Sequence, residues 1–335
     1  MIMNISVKIP SWAATLLVTT SCSLSSCNIG DDNLLAPDYG DRVTFESARQ
    51  YPEGIAYSPV LNRFLVTSIT QGKVGSVDKK GNYTDLFTDS QLISAIGVKE
   101  LNGKVYVCNG DQGVSSKSTA QSKLKTAGLF VYNMATNQVE RRTDLAALLP
   151  TTQHFANDVA LDPQGVAYIT DSFSPVVYRV GADGQASILV NDPKFAPATG
   201  QFGLNGIVYH PDNYLIVAKA GTGQLFKINL AINNAITQIT GFPALTGADG
   251  MTLIGNELYV VNGQNKVTHA RSSDGWATAS VVKTDEVGYE QATTNTVYNN
   301  QIYTLNARIG EVSAAATSGN PASLTASSYS IQRFK

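Results

Sequence analysis

The sequence is poor in charge and lacks basic clusters. Only 15% of its 335 residues are charged, against about 25% in an average soluble domain. The longest basic cluster is a pair such as Arg141-Arg142, so we expect no nucleic-acid partner, because neutralising phosphates requires a cationic stripe. Since 43% of the residues are hydrophobic, the chain is predicted to pack a core rather than to remain disordered.

Cysteine and long apolar runs are also scarce. The three cysteines cannot form a disulfide framework, and Cys108 lies in a strand-like run where a buried thiol is expected. After the first thirty residues, no run approaches the roughly 18 apolar residues that a membrane-spanning helix requires. Disulfide-rich secreted domains and helical membrane proteins are therefore excluded as classes.

The N-terminal residues have the layout of an export signal. Lys8 precedes a short apolar stretch from Trp12 to Val18, which Ser and Thr follow. Leu24-Ser25-Ser26-Cys27 resembles a bacterial lipobox, in which cleavage before the cysteine leaves its thiol to carry a lipid. An ordinary cleaved signal peptide is the alternative.

This pattern predicts the domain organisation and the location. Residues 1–26 would be a signal peptide of lipoprotein type, and residues 27–42 a linker. The protein would contact a bacterial membrane only through a lipid on Cys27, in the periplasm or at the cell surface, and Asp31-Asp32 favours the surface. Without lipidation it would be secreted.

A module recurs six times after about residue 43. Each copy has a small polar opening, an apolar strand, a turn and a second strand rich in Tyr, Val and Ile. Opening positions 54, 97, 158, 206, 250 and 295 recur with a period in the forties, apart from one longer step that we assign to a surface loop between Gly113 and Gly128. The one helix expected is a brief one over residues 143–149.

This period predicts an all-β fold, a six-bladed β-propeller with four-stranded antiparallel blades around a central channel. Residues 43–335 would form this single domain. The run that starts at Arg42 is expected to pair with residues 329–334 and close the ring, which removes open sheet edges. Two β-sandwich domains would not keep one phase across six openings.

The openings predict a metal site. In a propeller they converge at one rim, and four of them carry oxygen ligands: Glu53, Asn157, Asn205 and Asp249. An all-oxygen set suits Ca²⁺ or another divalent cation. Because the other two openings carry Ile96 and Thr294, the ion is expected off-centre, toward four blades.

Three further residues are candidate substrate contacts. Tyr51 stands beside Glu53, and Phe202 ends a loop that leads to Asn205. His154 lies three residues before Asn157, where it could relay protons; a structural histidine is the alternative.

These motifs resemble a known family. Glu53-Gly54, Asn157-Asp158, Asn205-Gly206 with His210-Pro211-Asp212, and Ala248-Asp249-Gly250-Met251 look like the metal-site motifs of the SMP-30/gluconolactonase family, which is related to calcium-dependent phosphotriesterases and paraoxonases. The resemblance implies a divalent ion, usually calcium, held by Glu53, Asn205 and Asp249, with Asn157 as a ligand or substrate contact. It also implies that Asp249 is the base or the nucleophile in hydrolysis.

The resulting hypothesis is an exported, monomeric, calcium-dependent hydrolase of a small lactone or related ester. The first alternative is a non-enzymatic propeller lipoprotein that binds a protein or a glycan, because one fold hosts many functions. The second is a lyase or synthase similar to strictosidine synthase, in which the metal ligands are largely absent.

Overall fold

The structure is a computed structural model that describes residues 39–335. The signal peptide, the lipobox with Cys27 and residues 27–38 of the expected linker lie outside the described residues.

The first three blades follow one another along the chain. β1 (Arg42–Glu46) precedes them and belongs to the last blade. Blade 1 contains β2 (Ile55–Ser58), β3 (Arg63–Ser68), β4 (Lys73–Val77) and β5 (Tyr83–Thr88). Blade 2 contains β6 (Ser94–Leu101), β7 (Lys104–Gly110), β9 (Gly128–Asn133) and β10 (Gln138–Asp144). Blade 3 contains β11 (His154–Leu161), β12 (Ala167–Asp171), β13 (Val176–Val180) and β14 (Ala186–Asn191), and β8 (Lys125–Thr126) pairs in parallel with β11.

The last three blades repeat the pattern. Blade 4 contains β15 (Leu204–His210), β16 (Tyr214–Lys219), β17 (Gln224–Asn229) and β18 (Ala235–Gln238). Blade 5 contains β19 (Met251–Ile254), β20 (Glu257–Asn262), β21 (Lys266–Arg271) and β22 (Ser280–Asp285). Blade 6 contains β23 (Ala292–Tyr298), β24 (Gln301–Asn306), β25 (Ser328–Arg333) and β1.

The six sheets form a closed ring, which confirms the predicted propeller. The innermost strands β2, β6, β11, β15, β19 and β23 contact one another in that order, and β23 returns to β2. β1 pairs antiparallel with β25, with Val43 opposite Ile331 and Phe45 opposite Tyr329. Both termini of the fold therefore contribute to blade 6, as the sequence predicts.

The folded part begins before Arg42. Tyr39 is fully buried, its ring lies 4.3 Å from that of Phe64, and its carbonyl accepts a 2.8 Å hydrogen bond from the Tyr303 hydroxyl. Residues 39–42, which the sequence analysis assigns to a linker, thus pack with blades 1 and 6.

The helix content differs from the expectation. The chain over residues 143–149 ends strand β10 and then forms one 3₁₀ turn at Ala146–Leu148, because Thr143 pairs with Leu129 of β9. A helix that was not predicted, α1 (Ile309–Ser318), connects β24 to β25 and ends at Gly319 in the left-handed conformation. Two further 3₁₀ turns span Pro193–Phe195 and Pro321–Ser323. Within residues 39–335, no helix is long and apolar enough to cross a membrane.

The insertion in blade 2 packs against the propeller. Val114 is buried, and the Lys117 ammonium donates hydrogen bonds to the carbonyl oxygens of Gly72, Asp89 and Leu92 at 2.8–3.1 Å. This segment is a docked extension of blades 1 and 2, which is more than the surface loop expected from its composition.

Candidate functional site

The glycines of the openings allow neighbouring blades to approach closely. A Cβ atom at Gly54 would lie 2.3 Å from the Ile96 carbonyl oxygen, and one at Gly206 would lie 2.2 Å from the Asp249 carbonyl oxygen. Real Cβ atoms do not come this close, so these positions exclude larger residues. The repeated glycine thus holds Glu53 and Asn205 against the next opening in the ring.

Threonines fix the backbone of the openings. Oγ1 of Thr67 accepts a 2.7 Å hydrogen bond from the Gly54 amide, and Oγ1 of Thr293 donates one of 2.7 Å to the Glu53 carbonyl. Oγ1 of Thr170 likewise donates to the Asn205 carbonyl at 2.6 Å. Buried threonines therefore set the backbone position of two of the four predicted ligands, Glu53 and Asn205.

The four predicted metal ligands meet in one pocket. Glu53, Asn157, Asn205 and Asp249 all line a cavity of about 170 Å³. Ile96, from the second opening, lines it too, whereas Thr294 of the sixth opening is not among its lining residues. The remaining lining residues are Ile69, Gln112, Phe155, Phe202, Ala220, Gly247, Ala248, Gln264, Ile309 and Ser313.

Three buried oxygens of this set have no hydrogen-bond partner among residues 39–335. They are Oε2 of Glu53, Oδ1 of Asn157 and Oδ1 of Asn205. The Asn157 amide is oriented by its Nδ2, which donates a 3.0 Å bond to Oγ of Ser172. A buried acceptor without a partner costs about 1–3 kcal/mol, so these three oxygen atoms fit a bound cation or a bound hydrogen-bond donor. The donor set, two carboxylates and two amides, fits a hard divalent cation.

The pocket is strongly electronegative. Burial, followed by the negative charge of Asp158, raises the pKa of Asp249 to about 8, although the Asn205 side chain donates a hydrogen bond that lowers it. Burial and the charges of Asp249 and Asp158 raise the pKa of Glu53 well above its ordinary value. Asp249 remains partly exposed to the pocket, but the surrounding protein removes most of the water from its carboxylate. Positive charge at this point would therefore be strongly favoured.

Asp158 is a third carboxylate to which the sequence analysis gave no role. Its Oδ1 accepts a 2.8 Å hydrogen bond from the Val159 amide, and its Oδ2 accepts one of 3.3 Å from the Ile207 amide. Burial raises the pKa of Asp158, and the positive charge of Lys99 opposes this. Because both oxygens have partners, Asp158 contributes charge near the pocket rather than a vacant ligand.

Two of the three candidate substrate contacts lie outside the pocket lining. His154 is buried, its Nδ1 lies 2.8 Å from Oδ2 of Asp171, and its Nε2 lies 2.8 Å from the Leu149 carbonyl. The Tyr51 hydroxyl bonds to Glu311 of helix α1. Phe202 does line the pocket, with its ring centroid 5.8 Å from that of Phe155.

Several lining residues were missed from the sequence. Phe155 is one residue after His154, and Gln112 precedes the blade 2 insertion. Ile309 and Ser313 belong to α1, whose alanine-rich run before Gly319 is itself a helix signal in the sequence. Within the described part of the chain, no group of three or more His, Cys, Asp or Glu side chains forms a metal cluster.

Comparison with known proteins gives structural matches only. The sequence matches no protein-family profile and no curated protein. The fold is similar to the major Malassezia sympodialis allergen Mala s 1, with TM-score 0.67 and 16% identity over 88% of this chain and 96% of that one. It is also similar to a gluconolactonase of Xanthomonas campestris, with TM-score 0.57 and 12% identity over 90% and 93% of the two chains. A calcium-binding regucalcin of Agrobacterium tumefaciens matches with TM-score 0.57 and 16% identity over 88% and 94%. At these identities the matches show that the chain shares the six-bladed propeller fold of gluconolactonase and regucalcin proteins.

Proposed function

We propose that this protein binds a divalent cation, Ca²⁺ in the first instance, and hydrolyses a lactone or related ester. The observation that carries the proposal is the set of three unpartnered buried oxygens, from Glu53, Asn157 and Asn205, that line one pocket with Asp249. Glu53, Asn157, Asn205 and Asp249 would hold the ion. The fold that the chain shares with a gluconolactonase and a calcium-binding regucalcin supports calcium binding and lactone hydrolysis as the function.

The roles of the residues follow from their chemistry. When bound, a divalent cation supplies Lewis-acid polarisation of a substrate carbonyl. The carboxylate of Asp249, partly exposed to the pocket, accepts the proton of an attacking water or attacks the carbonyl itself. Phe155 and Phe202 line the same pocket and contact each other, so they form an apolar wall beside these groups.

The test is metal content together with turnover. The purified protein is analysed for bound metals by mass spectrometry, and a panel of lactones and esters is assayed with and without chelator. We expect one bound Ca²⁺ per chain at the site and hydrolysis that the chelator abolishes. Absence of any bound divalent ion together with chelator-insensitive turnover would refute the proposal. A retained ion without turnover would favour the alternative of a protein or glycan binder.

We propose in addition that the chain is exported and carries a lipid on Cys27, as the lipobox pattern indicates. Mass spectrometry of the N-terminal peptide from membrane fractions tests this, and Cys27→Ser should release the protein from the membrane.

A further inference from the structure

The walls of the pocket are largely apolar. Ile69, Ile96, Phe155, Phe202 and Ile309 line it together with two alanines. The rings of Phe155 and Phe202 meet edge to face. Such walls bind a hydrocarbon group well, because they remove apolar surface from water.

Charge limits the substrate further. Among the described residues, the only charged side chains that line the pocket are Glu53 and Asp249, both acidic. Arg308, beside the lining residue Ile309, is paired with Glu311. Apart from the proposed ion, whose charge Glu53 and Asp249 offset, nothing in this lining offers a cationic partner for a carboxylate or a phosphate, so the pocket favours an uncharged substrate.

Few groups are present that could bind hydroxyls. Apart from the four candidate metal ligands, the polar lining side chains of the described chain are Gln112, Gln264 and Ser313. Oγ of Ser313 already donates a 3.2 Å hydrogen bond to the Ile309 carbonyl. These three side chains give a polyhydroxylated sugar lactone few partners for its hydroxyls, and burying hydroxyls without partners is unfavourable.

Helix α1 holds the apolar wall in place. The Gly310 amide donates a 2.9 Å hydrogen bond to Oε1 of Gln291, and Glu311 accepts one of 2.6 Å from the Tyr51 hydroxyl. Val312 and Ala315 are buried and anchor the helix in the core. Ile309 is thus a fixed part of the pocket.

We infer that the pocket selects an uncharged lactone with an alkyl substituent, and that Ile309 is a specificity-determining residue that contacts this substituent. The inference rests on the proposed function for the reaction type. The cavity of about 170 Å³ is below the roughly 300–1,000 Å³ of pockets for drug-sized ligands, which favours a small substrate.

The test compares two lactones on the calcium-loaded protein. We expect kcat/KM for γ-nonalactone to exceed that for glucono-δ-lactone by about tenfold or more. Ile309→Asn should reduce this ratio by about tenfold, and Ile309→Thr by less. Ala314→Asn introduces the same side chain at an exposed position of α1 and should leave the ratio unchanged. A melting temperature equal to that of the wild type shows that a variant is folded.

A binding measurement separates this inference from the proposed function. Calorimetry with an alkyl-substituted cyclic ketone, which cannot be hydrolysed, should show binding that Ile309→Asn weakens by about tenfold. If glucono-δ-lactone is turned over faster than γ-nonalactone, the inference is overturned and the proposed function remains supported. Turnover of neither lactone would contradict the proposed function. Ketone binding would then test the inference alone. No binding, or equal binding by the wild type and Ile309→Asn, overturns the inference.

Discussion

The Tyr51 hydroxyl donates a 2.6 Å hydrogen bond to Oε2 of Glu311, which joins the segment before blade 1 to helix α1 of blade 6. The same hydroxyl accepts a 3.1 Å bond from the Ala326 amide. Tyr51 is fully buried and has a left-handed backbone, with φ of 40°. A non-glycine residue holds this conformation only where its surroundings determine it. Tyr51 is therefore a positioning residue for the wall that α1 contributes to the pocket.

Tyr51→Phe should loosen this wall. Loss of the two hydrogen bonds is expected to lower the free energy of unfolding by about 1–3 kcal/mol. It should raise KM for an alkyl lactone more than it lowers kcat, because the reacting groups stay in place. Urea unfolding and steady-state kinetics measure both effects. Tyr57→Phe, which removes a hydroxyl bonded to Oδ1 of Asn62, is the matched control and should leave KM unchanged; an equal change of KM in both variants would contradict the positioning role.

Glu53→Gln should have opposite effects without and with calcium. The folded-state pKa of Glu53 is raised. The metal-free fold therefore loses stability as the pH rises above the pKa that Glu53 has in the unfolded chain. The neutral amide of Gln removes this loss near neutral pH. We expect the melting temperature in chelator to rise by a few degrees and the further increase on adding calcium to disappear. Scanning calorimetry at about pH 8 measures both.

The control for this experiment is Glu290→Gln, which changes a carboxylate whose side chain is 63% exposed and paired with Arg42. Glu290→Gln should show the same calcium-dependent increase in melting temperature as the wild type. Should Glu53→Gln still be stabilised by calcium as much as the wild type, Glu53 would not be a ligand.

Asp249→Asn should keep the fold and lose turnover. An amide neither accepts the proton nor attacks the carbonyl, so kcat is expected to fall by roughly 10²–10⁴-fold. Asp183→Asn, at an exposed turn, should retain full activity. A fully active Asp249→Asn protein would rule out the assigned role.

The two possible roles of Asp249 leave different traces. If Asp249 attacks a lactone carbonyl, the ring C–O bond breaks, the ring oxygen leaves as a hydroxyl and a mixed anhydride forms. In a single turnover in oxygen-labelled water, attack of water on the Asp249 carbonyl of this anhydride leaves the label in Asp249, whereas a general base stays unlabelled. Mass spectrometry of the peptide that contains Asp249 distinguishes the two.

The pair of His154 and Asp171 should make stability depend on pH. Burial lowers the pKa of His154, but its hydrogen bonds with Asp171 and the Leu149 carbonyl outweigh this, so that the pKa is raised overall. Protonated His154 therefore contributes fully to the free energy of unfolding below the pKa that histidine has in the unfolded chain, about 6.5. This contribution is lost as the pH rises through the folded-state pKa.

His154→Gln should consequently lower the free energy of unfolding more at about pH 5.5 than at about pH 8.5. Chemical denaturation at the two pH values measures the difference. His210→Gln, at a histidine that stacks on Tyr214, serves as the comparison. The same loss at both pH values would show that protonation of His154 does not contribute.

The repeat made most of the fold predictable from the sequence. Six openings in one phase require six equivalent units, and the same phase places Glu53, Asn157, Asn205 and Asp249 at one rim. Glycine occupies four of the six opening positions, and its physical reason, the close approach seen at Gly54 and Gly206, is visible only in the packing between blades.

Other features depend on contacts distant in the chain. Tyr51 is fixed by Glu311, 260 residues later. This separation does not follow the repeat, so periodicity gives no information about this partner. Helix α1 lies outside the repeated unit, and its contribution to the pocket depends on how blade 6 meets blade 1.

The closing contact between β1 and β25 has a consequence for the order of folding. Arg42 bonds to Ser330, 288 residues later, and contacts so distant form late because loop-closure entropy opposes them. The main strands of blades 1 to 5 each come from one continuous segment, but blade 6 is complete only when β1 meets β25. Glu53, whose carbonyl is bonded to Thr293 of blade 6, therefore takes its final place only when the ring closes.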